Sequence, residues 1–104
     1  MTCRMQVYKI TYPNGKIYVG RDETGTLTYF GSPSRGQKAL IAADHAVGRR
    51  DFTVRKEILW EQEVPEDEKE TGKARLALEE KRLIRETGAN NPAIGYNLLP
   101  KWRG

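Results

Sequence analysis

Two groups of residues in this chain have types and spacing suited to chemistry. The first is phenolic: Tyr8 and Tyr18 flank a Pro13-Asn14-Gly15 turn in the stretch VYKITYPNGKIYVG, Val7 to Gly20. The second is a carboxylate. Leu76, Ala77, Leu83 and Ile84 recur at i, i+1, i+7 and i+8, the inward stripe of an amphipathic helix, and the i+4 position of that stripe is Glu80. Burying an unpaired carboxylate is costly or forces it to take a proton. Three roles are open to Glu80. It reaches water at an open end of the sheet, it pairs with an internal Arg or Lys, or it lines a cleft and binds a hard cation such as Mg²⁺ together with substrate. Glu79 beside it takes the solvent-facing role.

Whether the two phenols work together depends on the turn. A two-residue Asn14-Gly15 loop puts Tyr8 and Tyr18 on opposite faces of the hairpin. A three-residue Pro13-Asn14-Gly15 loop pairs Tyr12 with Lys16, sets Tyr18 against Ile10 and Tyr8 against Gly20, and brings both phenols to one face. Proline suits the first central position of a type I turn, and glycine the left-handed position of the bulge after it. The shorter loop would leave Pro13, with no N–H, in a ladder position. The three-residue loop is therefore expected, with Tyr8 and Tyr18 diagonal neighbours about 7–8 Å apart at Cα and Gly20 leaving space beside Tyr8. The bland alternative is that both rings only cover core.

The elements that must position these residues follow from periodicity and punctuation. Strands are expected over residues 6–12 and 16–20, then a loop with a short extended piece at 27–30. A helix follows, with Ser32 as N-cap, Pro33 in its first turn and Gly48 as its stop. The segment DFTVRKEILWE reads as a third strand with Phe52, Val54, Ile58 and Trp60 on one face and Lys56 as the exception. A long helix begins after Pro65, where acids meet the helix dipole favourably, and stops at Gly88, with Gly72 breaking or delaying its first part. The tail is a short strand or an extended docking segment. The expected fold is a single α/β (α+β) domain, residues 1–104, with a small, mostly antiparallel three-stranded sheet flanked by helices.

Composition narrows the function classes. The chain has 104 residues with 38% hydrophobic and 31% charged content, as a globular domain does. No apolar run approaches the ~20 residues of a membrane span and no signal peptide is visible. A single cysteine, Cys3, rules out an internal disulfide and a cysteine zinc site, and suggests a cytoplasmic protein. His45 is the only histidine, which excludes a site needing two. The net charge of +4 suits a nucleic-acid partner without requiring one.

With the motifs in order, the chain resembles the GIY-YIG nuclease superfamily. Val7-Tyr8 and Tyr18-Val19-Gly20 stand where that family has its two name-giving triplets, EKRLI (Glu80 to Ile84) resembles its helix motif, and GYN (Gly95 to Asn97) its closing motif. Gln6 replaces the first glycine of the family name. The resemblance implies metal-dependent hydrolysis of DNA phosphodiesters, an endonuclease activity. Glu80 would hold one Mg²⁺ or Mn²⁺, Tyr8 would be the general base, Tyr18 would orient water or phosphate, and Asn97 would brace the tail. The family's catalytic arginine is expected early in the first helix. A longer insertion follows Gly20 here, so Arg35 is the first candidate, with Arg21, Arg50 and Arg55 as alternatives.

DNA contacts are expected from Lys9, Lys16, Arg49, Arg50, Lys101 and Arg103, giving salt-sensitive binding; taken singly, each is also an ordinary surface charge. The chain has no room for a separate recognition module, so it would act with low intrinsic specificity, as a homodimer or through a recruiting partner. The alternative is a catalytically inactive nucleic-acid-binding or scaffold domain with the same fold.

Overall fold

The computed structural model describes residues 1–104, the side chain of Arg49 excepted. Strands β1 (Thr2–Thr11) and β2 (Ile17–Asp22) form the hairpin, followed by helix α1 (Arg35–Asp44), strand β3 (Arg55–Pro65) and helix α2 (Lys69–Thr87). The sheet has three antiparallel strands in the order β2-β1-β3. It is a small α+β fold of the expected class. Among the described residues no helix is long and apolar enough to cross a membrane.

The turn takes the three-residue form. The Tyr12 N–H donates to the Lys16 carbonyl at 2.9 Å, and the Gly15 N–H to the Tyr12 carbonyl at 2.9 Å. Gly15 holds the left-handed position at φ +86°, which costs a glycine little. Tyr8 consequently pairs with Gly20 and Ile10 with Tyr18.

Alternation along β1 then builds two separate cores. Met5 and Val7, with Val19 of β2, face Leu76, Leu83 and Ile84 of α2. Tyr8, Ile10 and Tyr12 face the other way, against Ile41 of α1 and Tyr96 of the tail, with Tyr18 and Tyr29 packed around them. Gly72 does not interrupt α2. It is buried where the helix meets the sheet, and a Cβ there would lie 3.0 Å from Val64 Cγ2 and 3.2 Å from Met5 Sδ.

Four sequence expectations change. β1 begins at Thr2, because β3 extends to Pro65 and pairs with it throughout. The single-face pattern in β3 fails, because Phe52 and Val54 precede the strand, which begins at Arg55, and because the register shifts between Val7 and Tyr8. Leu59 becomes the extra residue of a bulge, so Trp60 lies opposite Val7 while Ile58 lies opposite Tyr8, on the other face. α1 is capped by Ser34, whose Oγ accepts from the Gln37 N–H at 3.3 Å, and it ends at Asp44, before Gly48. Ser32 instead bonds the Tyr29 hydroxyl at 2.8 Å. Residues 27–30 form a turn and an irregular segment, not an extended piece.

The tail is an extended docking segment. Ile17 of β2 donates to the Ile94 carbonyl at 3.1 Å and accepts from the Tyr96 N–H at 2.9 Å. One residue pair further along β2, the Asn97 side chain replaces a strand: its Oδ1 accepts from the Val19 N–H at 2.8 Å and its Nδ2 donates to the Val19 carbonyl at 2.7 Å.

Candidate active site

Tyr8 is fully buried, with 1% of its surface exposed. Its hydroxyl occupies the space that the glycine opposite leaves free: a Cβ on Gly20 would lie 2.3 Å from Tyr8 Oη and 2.6 Å from Cζ. Gly31 approaches from the other side, where a Cβ would lie 2.9 Å from the same Oη. The Tyr29 ring stands edge-on at 5.7 Å. Burial pushes the Tyr8 hydroxyl far above the ordinary phenol range, and Tyr29, Tyr18 and Glu80 push in the same direction. Tyr18, two positions along the same face, is pushed up to about 12 by burial, then by Glu80 and neighbouring phenols.

Lys56 completes this side. It lies opposite Ile10 on the phenol face, with Nζ 5.1 Å from the centre of the Tyr8 ring. The same ammonium donates to the carbonyls of Thr26, Leu27 and Tyr29 at 3.0, 3.3 and 2.6 Å. It thereby ties the loop bearing Tyr29 down onto Tyr8. Asp22 shapes the start of that loop, accepting from the N–H groups of Thr24 and Thr26 and from the Thr24 hydroxyl. Burial raises its carboxyl, but these bonds and Lys56 outweigh it and hold the group below its ordinary value. Three of its roughly four acceptor sites serve the loop.

Glu80 arrives from α2, on the other side of the sheet. It meets the phenols around the outer edge of β2, in a cleft of about 280 Å³ whose walls include Tyr18, Gln37, Glu80, Tyr96 and Asn97. Its side chain is 22% exposed, and Arg21 of β2 stands with Nη1 3.9 Å from Oε1. Burial raises the Glu80 carboxyl, partly opposed by Arg21 and Lys81. Glu80 thus keeps some access to water, pairs with an arginine and lines a cleft. Glu79, expected to face solvent, is the less exposed of the two, 16% against 22% for Glu80, because Arg82 at 2.6 Å and Arg75 at 3.8 Å cover it.

The donor set suits one mode of cation binding only. Among the described residues no group of three or more His, Cys, Asp or Glu side chains is arranged to enclose a metal ion. A single carboxylate in an open cleft matches the way Mg²⁺ binds through one or two carboxylates, waters and substrate phosphates. A dedicated protein cage is not present among these residues.

The arginine candidates separate. Arg21 lies beside Glu80 and also lines a second cavity of about 410 Å³ with Glu80, Lys81, Arg85 and Leu99. Arg35 opens α1 as an exposed residue; its neighbours Ser34 and Gln37 line the Glu80 cleft, but it does not. Arg50 is exposed in the single turn after α1, and Arg55 is exposed on β3, 3.6 Å from Glu57.

The expected DNA-contacting cations also divide. Lys9 pairs with Glu57 at 3.2 Å. Lys16 lies 4.0 Å from Asp44 and over the Tyr96 ring. The Arg49 side chain lies outside the described residues. Lys101 and Arg103 line a third cavity, of about 320 Å³, with Arg85, Asn90 and Trp102.

Sequence reasoning missed Lys56, although the signal was present: a lysine at an inward position of an alternating strand is the same kind of exception as Glu80. Tyr29 and Gly31 carried no such signal, because only tertiary folding of the insertion brings them to Tyr8. Comparison of the chain with protein-family models, curated proteins and solved structures returns no match.

Proposed function

We propose that this chain is a metal-dependent DNA endonuclease of the GIY-YIG kind, hydrolysing phosphodiester bonds in the cleft at the edge of β2. The observation that supports this most directly is the convergence of Tyr18 and Glu80 on one cleft, with Tyr8 behind Gly20 and Arg21 beside Glu80. These elements come from opposite sides of the sheet, and core packing alone does not require them to meet.

Glu80 would hold the cation, Mg²⁺ or Mn²⁺, which when bound supplies Lewis-acid polarisation of the phosphate and neutralises charge at the leaving oxygen. Arg21 lines the adjoining cavity that shares Glu80 with the cleft, from which it would clamp a phosphate oxygen bound at Glu80, and its pairing with Glu80 makes it the first choice for that role ahead of Arg35. Tyr18 presents its hydroxyl to orient water or phosphate. Tyr8 keeps its proton on Oη in the resting protein, since burial, the surrounding phenols and the Glu80 charge all favour the neutral phenol. Neutralising Glu80 with a bound cation would offset only the smallest of those causes, burial being the largest, and would lower the cost of removing the phenol proton by that amount.

A second reading, a nucleic-acid-binding domain without catalysis, is favoured by the depth of Tyr8 and the upward shift of its hydroxyl. Supercoiled plasmid incubated with Mg²⁺ or Mn²⁺ separates the two. The nuclease nicks it, and Glu80→Ala and Tyr8→Phe each reduce nicking at least ~100-fold. Equal nicking by wild type and Glu80→Ala refutes the site. Salt-dependent DNA binding without nicking establishes the second reading.

A further inference from the structure

The Glu80 cleft continues into a basic surface. The cavity bounded by Arg21, Glu80, Lys81 and Arg85 and the cavity bounded by Arg85, Lys101, Trp102 and Arg103 share Arg85 and Pro100 as walls. Lys81, Arg85, Lys101 and Arg103 take part in none of the ion pairs formed among the described residues. Lys9 and Lys16, by contrast, face carboxylates of their own chain. Arg35, Lys38, Arg50, Lys56 and Lys69 are likewise outside these pairs, but they line neither cavity, whereas Lys81, Arg85, Lys101 and Arg103 follow one path leading away from Glu80.

Two features of this path suit more than phosphate. Trp102, between Lys101 and Arg103, is 42% exposed, and none of the aromatic pairs of the fold involves it. Asn90, on the wall of the same cavity, is only 7% exposed. Its Nδ2 donates to the Pro100 carbonyl at 2.7 Å, while its Oδ1 is the one buried side-chain polar atom without a partner among the described residues. Unsatisfied buried acceptors are uncommon in native folds and ask for a reason. The cavity thus combines cationic donors with a partly exposed indole, while the Asn90 oxygen is itself buried and would meet a ligand only if its side chain turned outward. A nucleotide offers the matching pair: phosphate and a flat π-face.

From this we infer that the cavity of Arg85, Asn90, Lys101, Trp102 and Arg103 is a subsite for an unpaired nucleotide next to the scissile phosphate, so that the substrate carries a single-stranded segment. The inference rests on reading the Glu80 cleft as the nuclease site. Trp102 selects single strands because a duplex keeps its base faces inside the stack, whereas an unpaired base can lie on the indole. Arg85 links the subsite to the cleft, and Lys101 and Arg103 hold the flanking phosphates.

The test is fluorescence anisotropy in EDTA, where no metal-dependent cleavage occurs, with fluorescein-labelled dT12 and the dT12·dA12 duplex as probes. Wild type binds dT12 more tightly than the duplex. Trp102→Ala weakens dT12 binding about 10-fold with little change for the duplex, and Trp102→Tyr retains most of the affinity. Arg85→Gln weakens binding and lowers the salt slope by about 0.7. Unchanged dT12 binding by Trp102→Ala overturns the subsite, and so does an equal fall for single strand and duplex, which describes a phosphate patch without base recognition. The readout is independent of catalysis. Plasmid nicking that needs Glu80, with no Trp102 effect, leaves the nuclease and removes the subsite. Trp102-dependent dT12 binding without nicking does the reverse.

Discussion

Gly20→Ala tests the core of the site. The new methyl group would stand 2.3 Å from Tyr8 Oη, 2.6 Å from Cζ and 3.2 Å from Tyr18 Cε2. Carbon and oxygen settle at about 3.5 Å, so the phenol must move by roughly 1 Å. It has nowhere to go, since Gly31 closes the far side of the hydroxyl and Tyr29 stands against the ring. Overpacking of this kind costs about 2–3 kcal/mol, the upper part of its usual range. For a domain of this size that lowers Tm by about 10–20 °C. A displacement of about 1 Å in a reacting group costs about 100-fold in rate. Thermal denaturation and plasmid nicking, both on protein that is folded at the assay temperature, should therefore fall together. The double variant Tyr8→Phe/Gly20→Ala separates the causes. Removing Oη relieves the worst contact and returns about 1 kcal/mol of stability, while nicking stays lost. A Gly20→Ala protein as stable and active as wild type refutes the packing of Tyr8 against Gly20, and with it the site.

Two further outcomes follow from individual contacts. Asn97→Ala removes both bonds to Val19 and should cost about 2 kcal/mol, with the Val19 amide losing its protection in hydrogen exchange; an unchanged Val19 exchange rate refutes the bracing role. Glu80→Gln should raise stability at neutral pH, because the folded carboxyl is shifted up by burial. The folded state then binds the proton more tightly than the unfolded chain, so wild-type stability falls as pH rises from the ordinary glutamate range through the shifted value. Urea midpoints should favour the Gln variant at pH ~7 and converge below pH ~4; a Gln variant less stable than wild type at neutral pH contradicts the shift.

Local chemistry made part of this molecule readable from its residues. Pro13-Asn14-Gly15 carries its own turn geometry, so the register of the hairpin, and hence the shared face of Tyr8 and Tyr18, follows from three adjacent residues. The anomaly of Glu80 was equally readable, because a helical period needs no partner to be seen. The bulge at Leu59 was not. It depends on how β3 meets β1, and alternation in one strand carries no information about a residue that its partner skips. The cap moved from Ser32 to Ser34 for a related reason: Ser32 is engaged by Tyr29, a contact made by the fold of the insertion. Arg21 became the neighbour of Glu80 through an edge-to-helix approach that no sequence spacing encodes.

The position of the cleft follows from having two cores. Tyr18 belongs to the face covered by α1 and the tail, and Glu80 to the helix that covers the opposite face. Groups from the two sides can meet only around an edge of the sheet. β3 presents one edge and β2 the other. An open strand edge invites pairing with another chain, and here the tail blunts it by bonding Ile17 through its backbone and Val19 through the Asn97 side chain. An amide side chain satisfies one residue of the edge without adding a further strand residue beside it. The backbone is then free to turn away before Arg21, where a continued strand would have covered the edge. That departure leaves Arg21 beside Glu80 and puts Asn97 itself on the cleft wall. Asn97 therefore acts twice, closing the edge as far as Val19 and opening the cleft beyond it, and its loss should disturb the cleft through geometry without removing any charged group from the chain.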